Sequence, residues 1–417
     1  DSSLAARLKE LRQDVMDYKQ HARMIEKLSK IEVGGDLNIT VQGTRNNDDN
    51  KAPGTNRGDK ADLSYSAGLH ASAPVGETGK VYLRANVGQG EGVTRWLPSM
   101  FASPNADLEY DDARIRLVEA WYQATIPLSW GSTSEGTKRF LEFNIGKLDP
   151  TGFFDSNAVA NTENEQFMAD IFKNNISIEW GGDQNAYGPG LRLAYHHEVE
   201  ERHAGLTVSL GFFEGNQDST GDGNQDEDDT FQDVFDRPFV IAEAGITKKF
   251  GDLEGNYRLY GWVNKGKHTK WRDDTQVNEE NSGWGISIDQ QVSENVTLFS
   301  RYGMQDKKVS TFDRTFSIGG QMTGKRWGRP DAALAPGAGV EQRQEAERAA
   351  RAAAGPGAGT GDAGQPGRRR GRGAPREQMA PTGAKRPGCE AAASAPCRAF
   401  MGVRKAFMEV RKALTGQ

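Results

Sequence analysis

The chain has 417 residues, a formal net charge of −6 and a mean hydropathy of −0.71. It contains no run of eighteen or more apolar residues, which excludes a helix that spans a membrane. A chain of this length suggests two or three soluble domains, although a β-barrel of the same length forms a single unit.

The charge is distributed unevenly along the chain. Residues 331–417 contain 15 Lys and Arg against 8 Asp and Glu, so this part carries +7 and the first 330 residues carry −13. The two cysteines of the chain, Cys389 and Cys397, also lie in the C-terminal part. The sequence therefore predicts two parts of different character, with a boundary near residue 330.

Residues 1–30 predict an N-terminal amphipathic helix. Apolar residues recur at spacings of three and four, which is the pattern of a coiled-coil seam. Two interpretations stay open: a coiled coil that associates subunits, with a homotrimer as the expected assembly, and a helix that docks on its own chain. The seam residues are Leu4, Leu8, Leu11, Val15, Tyr18, Ala22, Ile25 and Leu28.

From residue 31 the apolar period changes from 3.5 to 2. Leu37, Ile39 and Val41 alternate with polar residues, as expected for a strand with two unlike faces. About thirteen segments repeat this pattern, so residues 31–330 predict an all-β, antiparallel fold. The segments are 37–42, 63–72, 81–88, 112–127, 138–147, 172–181, 189–199, 205–214, 239–250, 254–266, 282–292, 295–306 and 314–323.

The alternation fits a soluble sandwich or a transmembrane barrel, and three features favour the barrel. Many strands have nine to twelve residues, which is long enough to cross a membrane at a tilt. Short connectors such as 73–79 alternate with long ones such as 215–237. Aromatic residues lie at strand ends, which suits interfacial girdles. These residues are Trp121, Tyr122, Trp180, Tyr260, Trp262 and Trp327.

The string GKLDPTGFFDSNAVAN at 146–161, followed by EQF at 165–167, resembles the carbohydrate-selective outer-membrane porins of the OprB family. LVEAWYQ at 117–123, SRYG at 300–303 and GQMTGKRWGRPD at 320–331 support the resemblance, which covers roughly residues 31–331. It implies a sixteen-stranded barrel in the outer membrane of a Gram-negative bacterium, through which sugars diffuse passively. It also implies membrane lipid and small sugars as the partners of the chain.

Residues 331–417 depart from the strand pattern. The family would continue with further strands, whereas this segment is rich in Ala, Gly, Arg and Pro, the residues that G/C-rich codons encode. Our hypothesis is a frameshift that replaced the last strands, and resequencing the gene tests it. A genuine disordered extension is the alternative. A repeated seven-residue unit predicts a short basic amphipathic helix near 398–415.

A sugar channel needs aromatic rings for the apolar face of a pyranose and hydrogen-bonding groups for its hydroxyls. Arg258, Tyr260 and Trp262 share one face of a predicted strand, so a cation lies beside two stacking surfaces. The alternatives are an interfacial girdle for Tyr260 and Trp262, and ion-paired scaffolding for isolated Arg and Glu. The pore-lining candidates are Arg84, Glu119, Trp121, Glu142, Asn144, Arg192, Arg258, Tyr260, Trp262 and Arg301.

The segment 146–167 follows a predicted strand and is too long for a tight turn. We interpret it as a loop that folds inward and narrows the pore, with an ordinary surface loop as the alternative. The candidates on this loop are Lys147, Asp149, Phe153, Phe154, Asp155, Asn157 and Asn161.

The sequence predicts neither a cofactor nor a metal site. His196 and His197 are adjacent on a predicted strand and face opposite sides, so they do not share a metal. The chain shows no nucleophile elbow, phosphate loop or dinucleotide fingerprint, and nucleic acid is not an expected partner. We therefore expect a channel and not an enzyme. The alternatives are a structural or adhesive outer-membrane barrel and a channel for another solute, such as an anion.

Overall fold

A computed structural model describes most of the predicted β region and little of either end of the chain. It describes residues 29–44, 59–90, 92–95, 115–129, 137–162, 166–182, 186–199, 204–215, 233–268, 279–310, 312–329 and 333–343, with residues 7, 12, 13, 16 and 19. The chain divides into two units, Asp1–Gln365 and Pro366–Gln417, and all described residues lie in the first.

The two predicted helices fall largely or wholly outside the described residues. Arg7, Arg12, Gln13, Met16 and Lys19 are helical and exposed, and the rest of the predicted helix in residues 1–30 is outside the described part. The predicted helix near 398–415 and the Ala/Gly/Arg/Pro-rich tail beyond residue 343 are also outside it. Both helices stay predictions.

The described residues form fourteen strands in one antiparallel sheet, which confirms the all-β fold. Each strand up to β12 pairs with its neighbour in sequence, so the sheet is a meander. The strands are β1 (Glu32–Gly43), β2 (Ala61–Val75), β3 (Gly79–Gln89), β4 (Arg116–Pro127), β5 (Thr137–Leu148), β6 (Gly188–Val199), β7 (Ala204–Glu214), β8 (Pro238–Phe250), β9 (Leu253–His268), β10 (Glu279–Ser293), β11 (Val296–Gln305), β12 (Phe312–Thr323), β13 (Ala333–Leu334) and β14 (Gly337–Arg343).

Helical structure is brief among the described residues that connect the strands. The α-helices with a defined range are α1 (Asp170–Lys173) and α2 (Asp233–Asp236), and 3₁₀ turns lie at Gly92–Arg95, Pro150–Gly152 and Gly324–Trp327. No helix in the described part of the chain is long and apolar enough to cross a membrane.

Short turns join the strands at one end of the sheet. Phe250 pairs with Leu253 across a two-residue turn, in which Gly251 has φ +63°. A side chain would strain this left-handed backbone, whereas glycine adopts it freely. At the same end, Val75 pairs with Gly79, Val199 with Ala204 and Ser293 with Val296. The opposite end carries the long connections, as the alternation of short and long connectors predicted.

The sheet exposes its apolar face and buries its polar face. Leu259 is 56% exposed, whereas the side chains of its neighbours Arg258 and Tyr260 are largely buried on the other face. Leu210 is exposed in the same way beside the buried Ser209. A soluble sandwich would bury the leucines, so this arrangement suits a sheet whose outer face contacts lipid.

The sheet continues beyond the predicted boundary at residue 331. The short strand β13 and the longer β14 both pair with β12, and together they run along its free edge as one interrupted strand. Leu334 and Val340 are exposed, like the outward residues of the other strands. No pairing among the described residues joins β1 to β13 or β14, so the described sheet is not closed.

The strand predicted at 172–181 is wrong. Residues 170–173 form α1, and residues 174–180 are an irregular run without a ladder partner in the described sheet. The alternation that suggested a strand has another cause. Ile178 packs into a buried cluster, whereas Asn175 and Ser177 form hydrogen bonds. The run therefore has two unlike sides without belonging to the sheet.

Candidate solute pathway

Residues 149–162 and 166–182, here called the inserted segment, lie between β5 and β6 and pack against the polar face of the sheet. Phe154 and Ile178 of the segment are buried in a cluster with side chains of β5, β7, β8 and β9. Because this face is opposite to the exposed leucines, the segment lies on the inner side of the curved sheet. The wall residues of this cluster are Leu148, Phe213, Phe239, Ile241, Tyr260 and Trp262.

A buried ion pair fixes the middle of the inserted segment. Asp155 and Arg301 of β11 are each 1% exposed, and Arg301 Nε lies 3.0 Å from the Asp155 carboxylate. The guanidinium also donates to the carbonyl oxygens of Asp155 and Phe172, at 2.9 and 2.7 Å. On the other side, the Asp155 amide donates to Glu243 of β8 at 2.7 Å. Each of the three guanidinium nitrogens of Arg301 thus donates a hydrogen bond to the inserted segment.

Asn175 of the inserted segment joins two strands, a role that its sequence pattern did not indicate. Its Nδ2 donates to the Tyr260 hydroxyl at 2.6 Å, and its Oδ1 accepts from the Thr315 hydroxyl of β12 at 2.9 Å. The Asn175 amide donates to Asp155 Oδ2 at 2.6 Å. Because residues 172–181 are predicted to be a strand, Asn175 is treated as an ordinary strand residue and is not among the candidates.

The part of the inserted segment around Asn157 and Ala158 forms hydrogen bonds with β10. Asn157 donates to the Ser287 hydroxyl and to the Ile288 carbonyl oxygen, each at 3.3 Å. The Ala158 amide donates to Asp289 at 3.3 Å, and Asp289 is also paired with Arg258 at 2.8 Å. Arg258 is therefore part of the support beneath the segment.

The interpretation of Tyr260 and Trp262 as girdle residues is wrong, because both rings lie on the inner face. Their exposed fractions are only 2% and 5%, since the inserted segment covers them. Trp121 and Trp180 also pack against the inner cluster, whereas Tyr122 is exposed on the outer face. The side chain of Trp327 lies outside the described part.

A second set of predicted residues lies on β5 and β6. Arg192 of β6 donates to Glu142 at 2.5 Å and to Asn144 at 2.9 Å, both on β5. Gln123 of β4 continues this network, donating to Glu142 at 3.0 Å and accepting from Asn144 at 3.2 Å. The Arg192 guanidinium carbon also lies 4.9 Å from the centre of the Phe153 ring. This network links the inserted segment to β4, β5 and β6.

Aromatic rings continue from Phe153 across the wall. Trp121 of β4 meets Phe153 edge to face, with ring centres 5.9 Å apart. Trp121 stacks on Tyr82 of β3 at 4.8 Å, and Tyr82 stacks on His70 of β2 at 5.9 Å. The Trp121, Tyr82 and His70 side chains are partly exposed. They form a row of rings along the inner wall, here called the aromatic row.

Charged side chains accompany the aromatic row. Arg84 of β3 pairs with Asp36 of β1 at 3.0 Å, and these side chains are 21% and 23% exposed. Glu119 of β4 accepts from the Trp121 indole nitrogen at 2.9 Å. The row therefore offers ring surfaces and hydrogen-bonding groups side by side.

Three loop candidates have local positions. Lys147 belongs to β5 and, by alternation, lies on the same face as the exposed Ile145. Asp149 caps the 3₁₀ turn at Pro150–Gly152, since its Oδ1 accepts from the Thr151 amide at 2.9 Å. The Asn161 amide donates to the Gln166 side chain within the inserted segment. Within the described ranges, no group of three or more His, Cys, Asp or Glu is placed to hold a metal ion.

Comparisons with known proteins show the family and the fold of the chain. The model of a family described as carbohydrate-selective porins, the OprB family, matches residues 53–372. The high-pH structure of Pseudomonas putida OprB is similar at 16% identity, with 77% of each chain covered and a TM-score of 0.56, which supports the fold.

Two further solved structures are more distant. The low-pH structure of Pseudomonas putida OprB has 15% identity, with 78% of this chain and 82% of that chain covered and a TM-score of 0.40. Salmonella typhi OmpF in complex with daunomycin has 7% identity, with coverages of 75% and 97% and a TM-score of 0.33. Comparison with curated protein sequences gives no match.

Proposed function

This chain belongs to the OprB family of carbohydrate-selective porins, channels for the passive diffusion of sugars, and from this premise we propose that sugars pass along the wall formed by β1–β6. The aromatic row and its charged neighbours are the groups that contact the solute. The remaining inner face, from β7 to β12, holds the inserted segment, which narrows the pore.

The observation that carries this proposal is the pairing of charges on the inner wall. Four inward arginines each contact a carboxylate: Arg84 with Asp36, Arg192 with Glu142, Arg258 with Asp289, and Arg301 with Asp155. Paired charges leave little net field for attracting an ion, and the two pairs on β1–β6, Arg84 with Asp36 and Arg192 with Glu142, still offer hydrogen-bonding groups to hydroxyls. This wall suits a neutral, hydroxyl-rich solute better than an anion.

The two sets of inner residues then have different roles. Arg258, Tyr260, Trp262 and Arg301, which the sequence suggested as solute contacts, support the inserted segment. Tyr82, Trp121, Arg84, Glu119 and Glu142 line the pathway, because their side chains are only partly covered. The ring surfaces of the aromatic row and the paired charges beside it bind a sugar only weakly. The solute can therefore leave again.

We further propose the outer membrane of a Gram-negative bacterium as the location of this porin, with lipid against the exposed leucines. The heptad seam of residues 1–30 supports association through the N-terminal helix, and a homotrimer is the assembly we expect. Chemical cross-linking of the intact chain in detergent tests the trimer, and a band at the monomer position alone would contradict it.

Planar-bilayer recordings with a panel of neutral sugars test the pathway. We expect sugars to block the ion current reversibly in the native channel. Trp121→Ala should weaken the apparent affinity of the block by roughly tenfold, about 1.4 kcal/mol, because the solute loses a ring surface.

Trp284→Ala provides a matched control, since Trp284 is 42% exposed on the outer face of β10. This variant removes the same side chain away from the pathway and should leave the block unchanged. Equal effects of the two substitutions would remove Trp121 from the pathway. A native current that no sugar alters at high concentration would contradict sugar passage itself.

A further inference from the structure

A polar cluster holds the far end of the inserted segment at the long-connection end of the sheet. His268, the last residue of β9, is 4% exposed, and its Nε2 lies 2.7 Å from Glu179 Oε1 of the segment. The other carboxylate oxygen of Glu179 accepts from Asn281 Nδ2 of β10. The Glu179 carbonyl oxygen accepts from Asn264 of β9 at 3.3 Å. Two neighbouring strands thus hold one residue of the segment.

The partners of the His268 ring determine its protonation. Nδ1 lies 2.8 Å from the Gly266 carbonyl oxygen and 3.0 Å from the Glu279 carbonyl oxygen. Neither oxygen carries a proton, so Nδ1 must donate. Nε2 faces a carboxylate and must donate as well. When Glu179 is ionised, the ring makes all of these contacts at once only as the imidazolium cation, with a proton on each nitrogen.

Few charged groups compete for this cation among the described residues. From the inserted segment, Glu179 contacts the ring directly, and from β10, Glu279 contributes its main-chain oxygen. Lys265 of β9 and Glu280 of β10 lie 4.0 Å from each other, and both side chains are about half exposed. In the described part of the chain, the ion pair between His268 and Glu179 joins the segment to β9.

We propose that His268 is a positioning residue of the sugar pathway, whose cationic form fastens the inserted segment to the wall through Glu179. This inference rests on the proposed function, because it concerns the segment that narrows that pore. When the pH of the surrounding water rises, the ring gives one proton to solvent. A lone pair then faces either the Glu179 carboxylate or the two carbonyl oxygens, and one of these contacts is lost.

The neighbours of Glu179 explain why this release would affect the pore. Trp180 packs against Phe239 in the buried cluster, with ring centres 6.0 Å apart. Beyond it, Gly182 has φ +94°, and its amide donates to the Glu214 carbonyl oxygen at 2.9 Å. The polar cluster of Glu179, His268 and Asn281 is therefore, together with Trp180, a side-chain attachment of the segment near the point where the chain returns to β6. Without it, the end of the segment gains freedom to move, and the current through the pore should fluctuate.

Single-channel recordings of the full chain at about pH 6 and about pH 9 test the proposal, since an ordinary imidazole loses its second proton near pH ~6.5. The native channel should be quiet at the lower pH and show several-fold more current transitions at the higher pH. His268→Ala should show frequent transitions at both. Glu179→Gln should be quiet at both, because the glutamine amide donates to a neutral imidazole.

A native channel whose transitions do not change with pH would overturn the proposal, as would a Glu179→Gln channel that keeps the native profile. His197→Gln, on the outer face of β6, is the matched control and should retain the native profile. If His268→Ala does not fold, the Glu179→Gln comparison still decides. Sugar block in the same membranes separates the two proposals, because block with unaltered pH profiles overturns only the role of His268.

Discussion

At the scale of single residues, the pairing of Asp155 with Arg301 shows how the inserted segment is held inside the sheet. Both side chains are 1% exposed, and Asp155 has φ +53°, a left-handed conformation that Asp and Asn tolerate better than most residues. The guanidinium is satisfied by one carboxylate and two carbonyl oxygens. Removing one partner of such a pair strongly destabilises the folded protein, because the other charge is then buried without a partner.

We therefore predict that Asp155→Asn and Arg301→Met each lower the free energy of unfolding by about 3–5 kcal/mol. Asparagine accepts the left-handed backbone, so the first substitution isolates the charge from the conformation. The double variant should be less destabilised than the sum of the two, since neither charge is then buried without its partner. Urea unfolding in detergent, followed by tryptophan fluorescence, measures these changes.

Asp36→Asn is the control for a more accessible pair, because Asp36 and Arg84 are each about one-fifth exposed. Water reaches this pair, so the change should be below about 1 kcal/mol. Additive effects of Asp155→Asn and Arg301→Met would contradict the prediction, because they would show that the two residues stabilise the protein independently of each other.

At the scale of elements, the inserted segment is where sequence patterns were least informative. Period-two alternation at 172–181 correctly indicated two unlike sides, but it cannot report whether a backbone finds a ladder partner. Ile178 packs against wall residues from several strands, and Asn175 reaches Tyr260 from 85 positions away. Contacts at such sequence separation depend on how the sheet curves, which local patterns do not contain.

The faces of the strands were predictable because they depend on local alternation of side chains and not on contacts between distant residues. Leu206, Val208 and Leu210 alternate with Thr207 and Ser209, and a strand places such residues on opposite sides. The sequence thus places Arg192 and Arg301 on the polar face, and both are buried in the structure. It did not distinguish a residue that meets solute from one that holds the segment, because both roles use the same side chains on the same face.

Packing of the inserted segment should control the width of the pore. Phe154 is fully buried and meets Phe213 edge to face, with ring centres 6.1 Å apart. Phe154→Ala removes this contact and should destabilise the segment by about 3–5 kcal/mol. A loosened segment narrows the pore less, so bilayer recordings should show a larger and noisier single-channel conductance.

Met168→Ala is the matched control, since Met168 belongs to the same segment and is 36% exposed. It removes an apolar side chain without opening a buried cavity, so the conductance should remain native. A native conductance in Phe154→Ala would mean that the packing of Phe154 does not hold the segment in the pore.

At the scale of the whole molecule, the direction of the edge strands limits how the barrel closes. Each strand is antiparallel to its neighbour, so β1 and the interrupted strand β13–β14 run in the same direction. Closure in the antiparallel pattern then needs an odd number of further strands. When β13 and β14 are counted as one interrupted strand, the sheet has thirteen strands. Three more would give the sixteen strands that the family resemblance implies. Unpaired edges in lipid are unfavourable, because their backbone groups find no hydrogen-bond partner.

This makes residues 333–343 a part of the barrel whose removal should be measurable. β13 and β14 cover the edge of β12 along most of its length, from Phe312 to Thr323. Ala335, between them, packs against the cluster that contains Phe299 of β11. Both contributions should stabilise the sheet, although the predicted tail boundary at residue 331 would assign these residues to the tail.

We therefore predict that a chain ending at Asp331 is less stable than a chain ending at Arg343. The first leaves β12 as an unpaired edge, whereas the second keeps β13, β14 and the packing of Ala335. Heat-modifiable migration on gels measures the difference as the temperature at which the folded band disappears. The shorter chain should lose that band at a clearly lower temperature, and both chains are compared with the full-length protein. Equal temperatures for the two truncated chains would mean that residues 332–343 add nothing to the sheet, in which case the boundary predicted at residue 331 would stand.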